Sequence, residues 1–397
     1  MKVKVRSGDT LWYYSQLFYI PIGLIIDSNP SVEPNKLKIG TEIDLPGFRE
    51  VNYTIRKGDT FWALASEWNI GVDALLLLNE GVNANGLQIG STIILPSRVI
   101  TPIVKGKQAY HSKILHKDIK SLKEIYPFIR LRSVGESVLG DDLVEIRVGT
   151  GKKKVQLNAS FHANEWITTA ILMSFLNEYL LSLTNSNPIR GIETLPIYGD
   201  VTVSFVPMVN PDGVDLVLIG PPEDRRKELL AINRGSTDFT GWKANIKGVD
   251  LNNQFPAKWE IEKERKEEKA PAPRDFPGYK PLSEPEAIAM ANLAQQENFD
   301  RLLAIHTQGK EFYWGYEGLE PPDAAKLAAD FTRVSGYESV RYIDSYAGYK
   351  DWFIKEFKKA GFTLELGKGI NPLPLSQFDE IYQDVLGIFL VSIYRWY

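Results

Sequence analysis

Two kinds of hydrophobic pattern divide the chain. Near the start, Val3 and Val5 alternate with Lys4 and Arg6, the mark of a strand with one buried face. A turn follows at Gly8-Asp9, and Thr10 stands as N-cap of a helix through Phe18. A second short helix covers Gly23 to Ser28, and Thr41 to Leu45 returns as a strand stopped by Pro46. Beyond about residue 107 the segments lengthen. Lys117 to Tyr126 carries Ile119, Leu122 and Ile125 on one helical face, and ends before Pro127. Leu143–Val148, Lys154–Ala159 and Val201–Pro207 read as strands, Trp166 to Leu183 as a long apolar helix, and Leu386 to Tyr394 as a buried terminal helix. Strands alternating with helices predict an α/β domain, a mixed open sheet with helices on both faces.

The early stretch is duplicated. Gly8-Asp9-Thr10-Leu11-Trp12 recurs as Gly58-Asp59-Thr60-Phe61-Trp62. Asn29 recurs as Asn79, Ile39-Gly40 as Ile89-Gly90 and Leu45-Pro46 as Leu95-Pro96, all at an offset of fifty positions. The expected domains are therefore βααβ modules over 1–47 and 48–97, a Pro/Gly/Lys linker over 98–109, and a third domain over 110–397. Modules this small need large aromatics in their cores, so Trp12 and Trp62 are expected there. Both copies resemble LysM modules, through the SGDT and KGDT turns, the asparagine after the second helix and the I-G…L-P endings. The resemblance implies binding to N-acetylglucosamine-containing glycan such as peptidoglycan or chitin.

Composition narrows the chemistry. Net charge is −4 with no long basic run, which argues against nucleic acid or an anionic membrane as partner. Cysteine is absent, so disulfide and thiolate chemistry are excluded and any zinc must take nitrogen and oxygen ligands. No apolar run is expected to span a membrane. The N-terminus lacks the form of a secretory signal, so the sequence assigns no compartment. Trp259 to Lys269, densely charged and followed by Ala270-Pro271-Ala272-Pro273, reads as a solvated insertion. Ser283-Glu284-Pro285-Glu286 fits a capping box for a helix through Gln296.

Four histidines remain to be placed, His111, His116, His162 and His306. The first two lie in a polar stretch that reads as linker and helix start. His162 and Glu165 stand three apart just past a strand end, and His306 ends the apolar run Leu302–Ile305 before Gly309. An HxxE near one strand end and a histidine at another suit a metal site on the rim of an open sheet. Hydrolysis there needs a base, and Glu365 is a candidate on a strand where Phe362, Leu364 and Leu366 take the opposite face.

His162-Ala163-Asn164-Glu165-Trp166, Asn210-Pro211-Asp212-Gly213, Gly248-Val249-Asp250-Leu251-Asn252, Ile305-His306 and Phe362-Thr363-Leu364-Glu365 follow in one order. This series resembles the zinc carboxypeptidase family over essentially the whole third domain. The resemblance implies one Zn2+ held by His162, Glu165 and His306, with Glu365 as general base. Lys243 falls where the family has an oxyanion-polarising arginine, and Tyr346 or Tyr349 where it has a substrate tyrosine. The family's carboxylate-binding arginine is replaced, since the chain reads Asn252-Asn253. Lys350 corresponds to a side-chain specificity position, and Gln308 is a candidate stem-peptide contact. Wall-glycan modules joined to this catalytic type resemble γ-D-glutamyl-diaminopimelate peptidases, zinc metallopeptidases that cut peptidoglycan stem peptides. A general metallocarboxypeptidase with glycan anchors and a non-catalytic wall-binding protein are the rival readings.

Overall fold

The computed structural model describes all residues, 1–397. Twelve strands occur: β1 (Lys2–Lys4), β2 (Glu42–Asp44), β3 (Phe48–Thr54), β4 (Thr92–Arg98), β5 (Arg130–Glu136), β6 (Asp142–Val148), β7 (Lys153–Ala159), β8 (Val201–Val206), β9 (Arg301–His306), β10 (Glu311–Tyr313), β11 (Glu338–Val340) and β12 (Ala360–Glu365). By compactness the chain divides into two units. One comprises Met1–Ile103, Lys117–Arg130 and Asn177–Pro196; the other comprises Val104–His116, Leu131–Leu176 and Ile197–Tyr397.

In the first unit each repeat pairs its two strands antiparallel, β1 with β2 and β3 with β4, around two short helices. The helices start where the pattern places them, because the Thr10 and Thr60 hydroxyls accept from the Tyr13 and Ala63 amides at 3.0 Å. The repeated asparagines are structural. Asn29 donates to the Ile25 and Asp44 carbonyls and accepts from the Asp44 amide, tying a helix end to the returning strand; Asn79 repeats this with Leu75 and Ile94. The repeated tryptophans are not core residues, contrary to expectation. Trp12 is 63% and Trp62 74% exposed. Tyr14, Phe18, Leu24 and Ile25 fill the first core, and Phe61, Leu64 and Leu75 the second, leaving the tryptophans no place inside. Arg6 of the first repeat pairs with Asp73 of the second at 2.5 Å, and the Tyr13 hydroxyl donates to the same carboxylate.

The second unit is built on an eight-stranded sheet in the order β11-β10-β12-β9-β7-β8-β6-β5. Its centre is parallel, β12 with β9, β9 with β7 and β7 with β8, while β6 on β8 and β10 on β12 are antiparallel. The central runs VTVSFV and RLLAIH are buried throughout, as strands covered on both faces must be. The helix Ile167–Asn185 is long and apolar enough to cross a membrane by length and composition, but most of it is buried within the protein.

Three local expectations are corrected. The helix read from Lys117 begins at Ser112, because the Asp215 carboxylate accepts from both the amide and the hydroxyl of Ser112. The capping box at Ser283–Glu286 does not form: Glu284 makes no side-chain cap, and the Gln254 side-chain oxygen, Oε1, accepts from the Ser283 and Glu284 amides instead. The charged run from Trp259 is no solvated insertion. It forms a helix, Trp259–Arg265, anchored by the buried Trp259 indole on the Pro277 carbonyl and by the buried Glu262 carboxylate on the Tyr346 amide.

Asn79→Ala strands two carbonyls and an amide, so it should cost about 2–4 kcal/mol in urea unfolding of the whole chain. Trp62→Ala, at an exposed site, should stay within about 0.5 kcal/mol. A reversed ranking would return the tryptophans to the core.

Candidate metal-centred active site

Parallel pairing brings the site together. β7 ends at Ala159, the chain turns at Ser160 (φ 50°), and His162 leads into the short 3-10 turn Ala163–Glu165. β9 ends at His306, and β12 pairs with it so that Glu365 stands directly beside His306. All three strands present their carboxyl ends to one edge, the usual location for chemistry in an open α/β sheet.

There His162, Glu165 and His306 offer ligand atoms within 4.8 Å of one another, and all three are buried. The His162 and His306 Nδ1 atoms lie 3.1 Å apart. Glu165 reaches His162 Nδ1 through Oε1 at 2.8 Å and His306 Nδ1 through Oε2 at 3.0 Å. Two imidazole nitrogens and a carboxylate facing one point form a nitrogen and oxygen donor set that suits one catalytic Zn2+; tetrahedral nitrogens about 2.05 Å from zinc stand about 3.3 Å apart. His162 turns its other nitrogen, Nε2, to Asp250 Oδ1 at 3.2 Å, which fixes which ring atom faces the ligand point. Burial pushes the Glu165 carboxyl up, but the two imidazoles outweigh it and hold it down to about 2. His162 is pushed down by burial and brought above its ordinary value by Glu165 and Asp250.

Glu365 lines both cavities at this edge. The outer cleft, of about 510 Å³, also contains Gln308, Lys243, Tyr313 and Asn371. The inner pocket, of about 190 Å³, contains Lys243, Asn252, Asn253 and Lys350. Burial raises the Glu365 carboxyl well above the ordinary range, Glu165 adds to this, and Lys243 opposes it. A carboxyl raised in this way is a stronger base than an ordinary carboxylate. The Lys243 ammonium lies 3.2 Å from Asp250 Oδ2. Asn252 accepts the Tyr349 amide, and Gln308 accepts the Gly369 amide at 3.2 Å.

Neither candidate tyrosine lines these two cavities. Tyr349 is fully buried with its hydroxyl on Gln156 Oε1 and the Met290 carbonyl, because it packs in the aromatic core with Phe161, Phe255 and Trp352. Tyr346 lies beneath the Lys258 and Arg265 cations, at 5.1 and 5.7 Å. The tyrosine in both cavities is Tyr313, whose hydroxyl donates to Glu311. Sequence reasoning also missed Asp250 as the orienter of His162 and Asn371, which donates to the Thr307 carbonyl at 2.8 Å. Asp250 lay within a quoted motif. Tyr313 could have been found by alternation, being two residues from Glu311, which pairs with Glu365. The Asn210-Pro211-Asp212-Gly213 motif is structural, since Asn210 caps its helix at the Gly213 amide and donates to the Phe161 and Ala244 carbonyls.

Residues 115–386 match the zinc carboxypeptidase (Peptidase_M14) family, and residues 3–46 and 53–96 match the LysM domain. The chain is 57% identical over 396 residues to Gamma-D-glutamyl-L-diamino acid endopeptidase 1 of Lysinibacillus sphaericus, covering 99% of this chain and 100% of that protein. It is 49% identical over 297 residues to the Bacillus subtilis (strain 168) protein YqgT, covering 73% of this chain and 79% of that one. Thrombin activatable fibrinolysis inhibitor shares the fold, with a TM-score of 0.59 at 16% identity over 87% of this chain and 97% of that one. The chain belongs to the zinc carboxypeptidase family, as a zinc-dependent metallopeptidase carrying two LysM domains ahead of its catalytic residues.

Proposed function

We propose that this peptidase hydrolyses the γ-D-glutamyl-diaminopimelate amide of peptidoglycan stem peptides, and that its LysM domains hold it on the glycan. The observation that carries the reading is the near full-length 57% identity to an endopeptidase named for that bond, joined to the His162–Glu165–His306 cluster. When bound, zinc supplies Lewis-acid polarisation of the amide carbonyl and acidification of water. Glu365 takes the proton from the attacking water as its oxygen bonds to the carbonyl carbon. The same carboxyl returns that proton to the amine as the carbon–nitrogen bond breaks. Lys243, 3.2 Å from Asp250 and open to both cavities, provides the positive charge for the developing oxyanion. Asn252 and Asn253 line the inner pocket and offer hydrogen bonds but no charge of their own. Gln308 lies in the outer cleft, where the glutamyl side of the substrate would run.

On the LysM domains, Trp12 and Trp62 are exposed at repeat-equivalent positions beside the Gly-Asp-Thr turns. Exposed indoles offer the flat apolar faces on which sugar rings stack.

Purified muropeptides incubated with the enzyme should yield, by mass spectrometry, products split between D-glutamate and diaminopimelate, and a chelator should abolish them. Release of C-terminal L-amino acids instead would favour a general carboxypeptidase. Glu365→Gln should keep about one zinc per chain by elemental analysis while losing about 10²–10⁴-fold in kcat. His306→Ala should lose the metal itself, and Asp250→Asn should weaken its affinity about 10–100-fold. Trp12→Ala with Trp62→Ala should lower hydrolysis of whole sacculi at least about tenfold and leave a soluble tripeptide unaffected. Equal losses on both would remove the anchoring role.

A further inference from the structure

The inner pocket holds three lysines, Lys243, Lys266 and Lys350, against three carboxylates, Asp250, Asp351 and Glu365. Their ion pairs differ. Lys350 is almost wholly buried, paired with Asp351 and donating to the Gly315 carbonyl at 3.0 Å, so its charge is committed within the protein. Lys243 pairs with Asp250 at 3.2 Å. Glu365 serves as the base in the reaction proposed above and offers no lasting partner. Lys266 has no carboxylate of its own in the pocket. Its nearest are Glu262 at 3.2 Å and Asp275 at 3.6 Å, and neither lines the cavity.

Both of those carboxylates are shared. Glu262 also serves Arg265 at 3.6 Å and the Tyr346 amide at 3.1 Å. Asp275 also serves Arg274 at 2.8 Å and Lys243 at 3.8 Å. The Lys266 side chain is 24% exposed, and besides the inner pocket it lines a neighbouring cavity with Arg274 and Asp275. It is also held in position. Lys266 closes the helix Trp259–Arg265 with its amide on the Glu262 carbonyl at 3.1 Å, and that helix is anchored through Trp259 and Glu262. The neighbouring Asn252 and Asn253 can add hydrogen bonds to an anion there but no charge.

We infer that Lys266 receives a free carboxylate of the diamino acid on the leaving side of the scissile bond. The assignment rests on the γ-D-glutamyl reading and names the residue that recognises its leaving group. A diaminopimelate unit can present its main-chain or its distal carboxylate, and the chemistry at Lys266 is the same for both.

The test compares L-Ala-γ-D-Glu-meso-diaminopimelate with both diamino-acid carboxylates free against the same tripeptide with both converted to carboxamides. Lys266→Met should raise KM on the free acid about 10–100-fold with kcat within about threefold, the loss of one charge-assisted contact. On the diamide, Lys266→Met and the parent enzyme should agree within about twofold, both close to the variant's efficiency on the free acid. Lys266→Arg should recover KM to within about fivefold of the parent. The two monoamides then tell which carboxylate is bound, since only one of them should keep the sensitivity. An unchanged KM on the free acid, or an equal loss on free acid and diamide, overturns the assignment while leaving the γ-D-glutamyl reading intact. Failure of the parent enzyme on every γ-D-glutamyl substrate would remove both.

Discussion

The site depends on the parallel pairing of β7, β9 and β12. Parallel strands end at one edge, so residues 162, 306 and 365, remote in the chain, reach a common rim. The register is strict: Glu365 stands opposite His306, and a one-residue slip would turn it to the other face of the sheet. That register is secured by core packing rather than by the polar residues, since Leu302, Leu303, Ile305, Phe362 and Leu364 are all buried. The apolar sheet therefore fixes geometry that the charged groups would not adopt alone.

Those charged groups are costly to bury, and the surroundings show how the cost is offset. Glu165 faces two imidazoles, Asp250 faces His162 and Lys243, and Lys243 is drawn toward Asp250, Glu165 and Asp275. Glu365 is the exception. Its raised carboxyl arises from burial beside another carboxylate, with Lys243 opposing the rise. The arrangement separates two glutamates by environment, Glu165 lowered between two imidazoles and Glu365 raised by burial, the split that the proposed acid–base role uses. Lys243 links them, because it pairs with the aspartate that orients His162 and also tempers Glu365.

Much of this was legible in the sequence because it depends on local pattern. The offset of fifty residues exposed the duplication, HxxE after a strand marked the ligands, and alternation separated Glu365 from its apolar neighbours. What failed to show depends on partners distant in sequence. Gln254 displaces the capping box at Ser283, 29 residues away, and Asp215 starts a helix at Ser112, 103 residues away. The charged segment after Trp259 looked solvated because composition cannot reveal that one of its glutamates, Glu262, is buried on a backbone amide. Tyr349 and Tyr346 had equal claims on spacing, and only packing shows that neither meets the cleft. The tryptophans misled for a related reason: a small core needs aromatics, but Tyr14, Phe18 and Phe61 already supply them.

The exposed tryptophans bear on how the two LysM domains act under the proposed reading. If each repeat bound glycan independently through a flexible joint, a second contact would gain only the effective concentration that the joint allows. The repeats are instead clasped by the Arg6–Asp73 pair and the Tyr13 hydroxyl, and a side chain at Gly71 would meet Leu17 of the other repeat at 2.9 Å. Holding two platforms at a fixed spacing removes ordering entropy before binding. It also makes the pair selective for a polymer whose repeat matches that spacing, over a short fragment that reaches only one platform. Under the proposed reading, polymer preference draws on the joint between the LysM domains as well as on each domain's own contacts, and the Arg6–Asp73 pair is the part of that joint that can be broken without touching either indole.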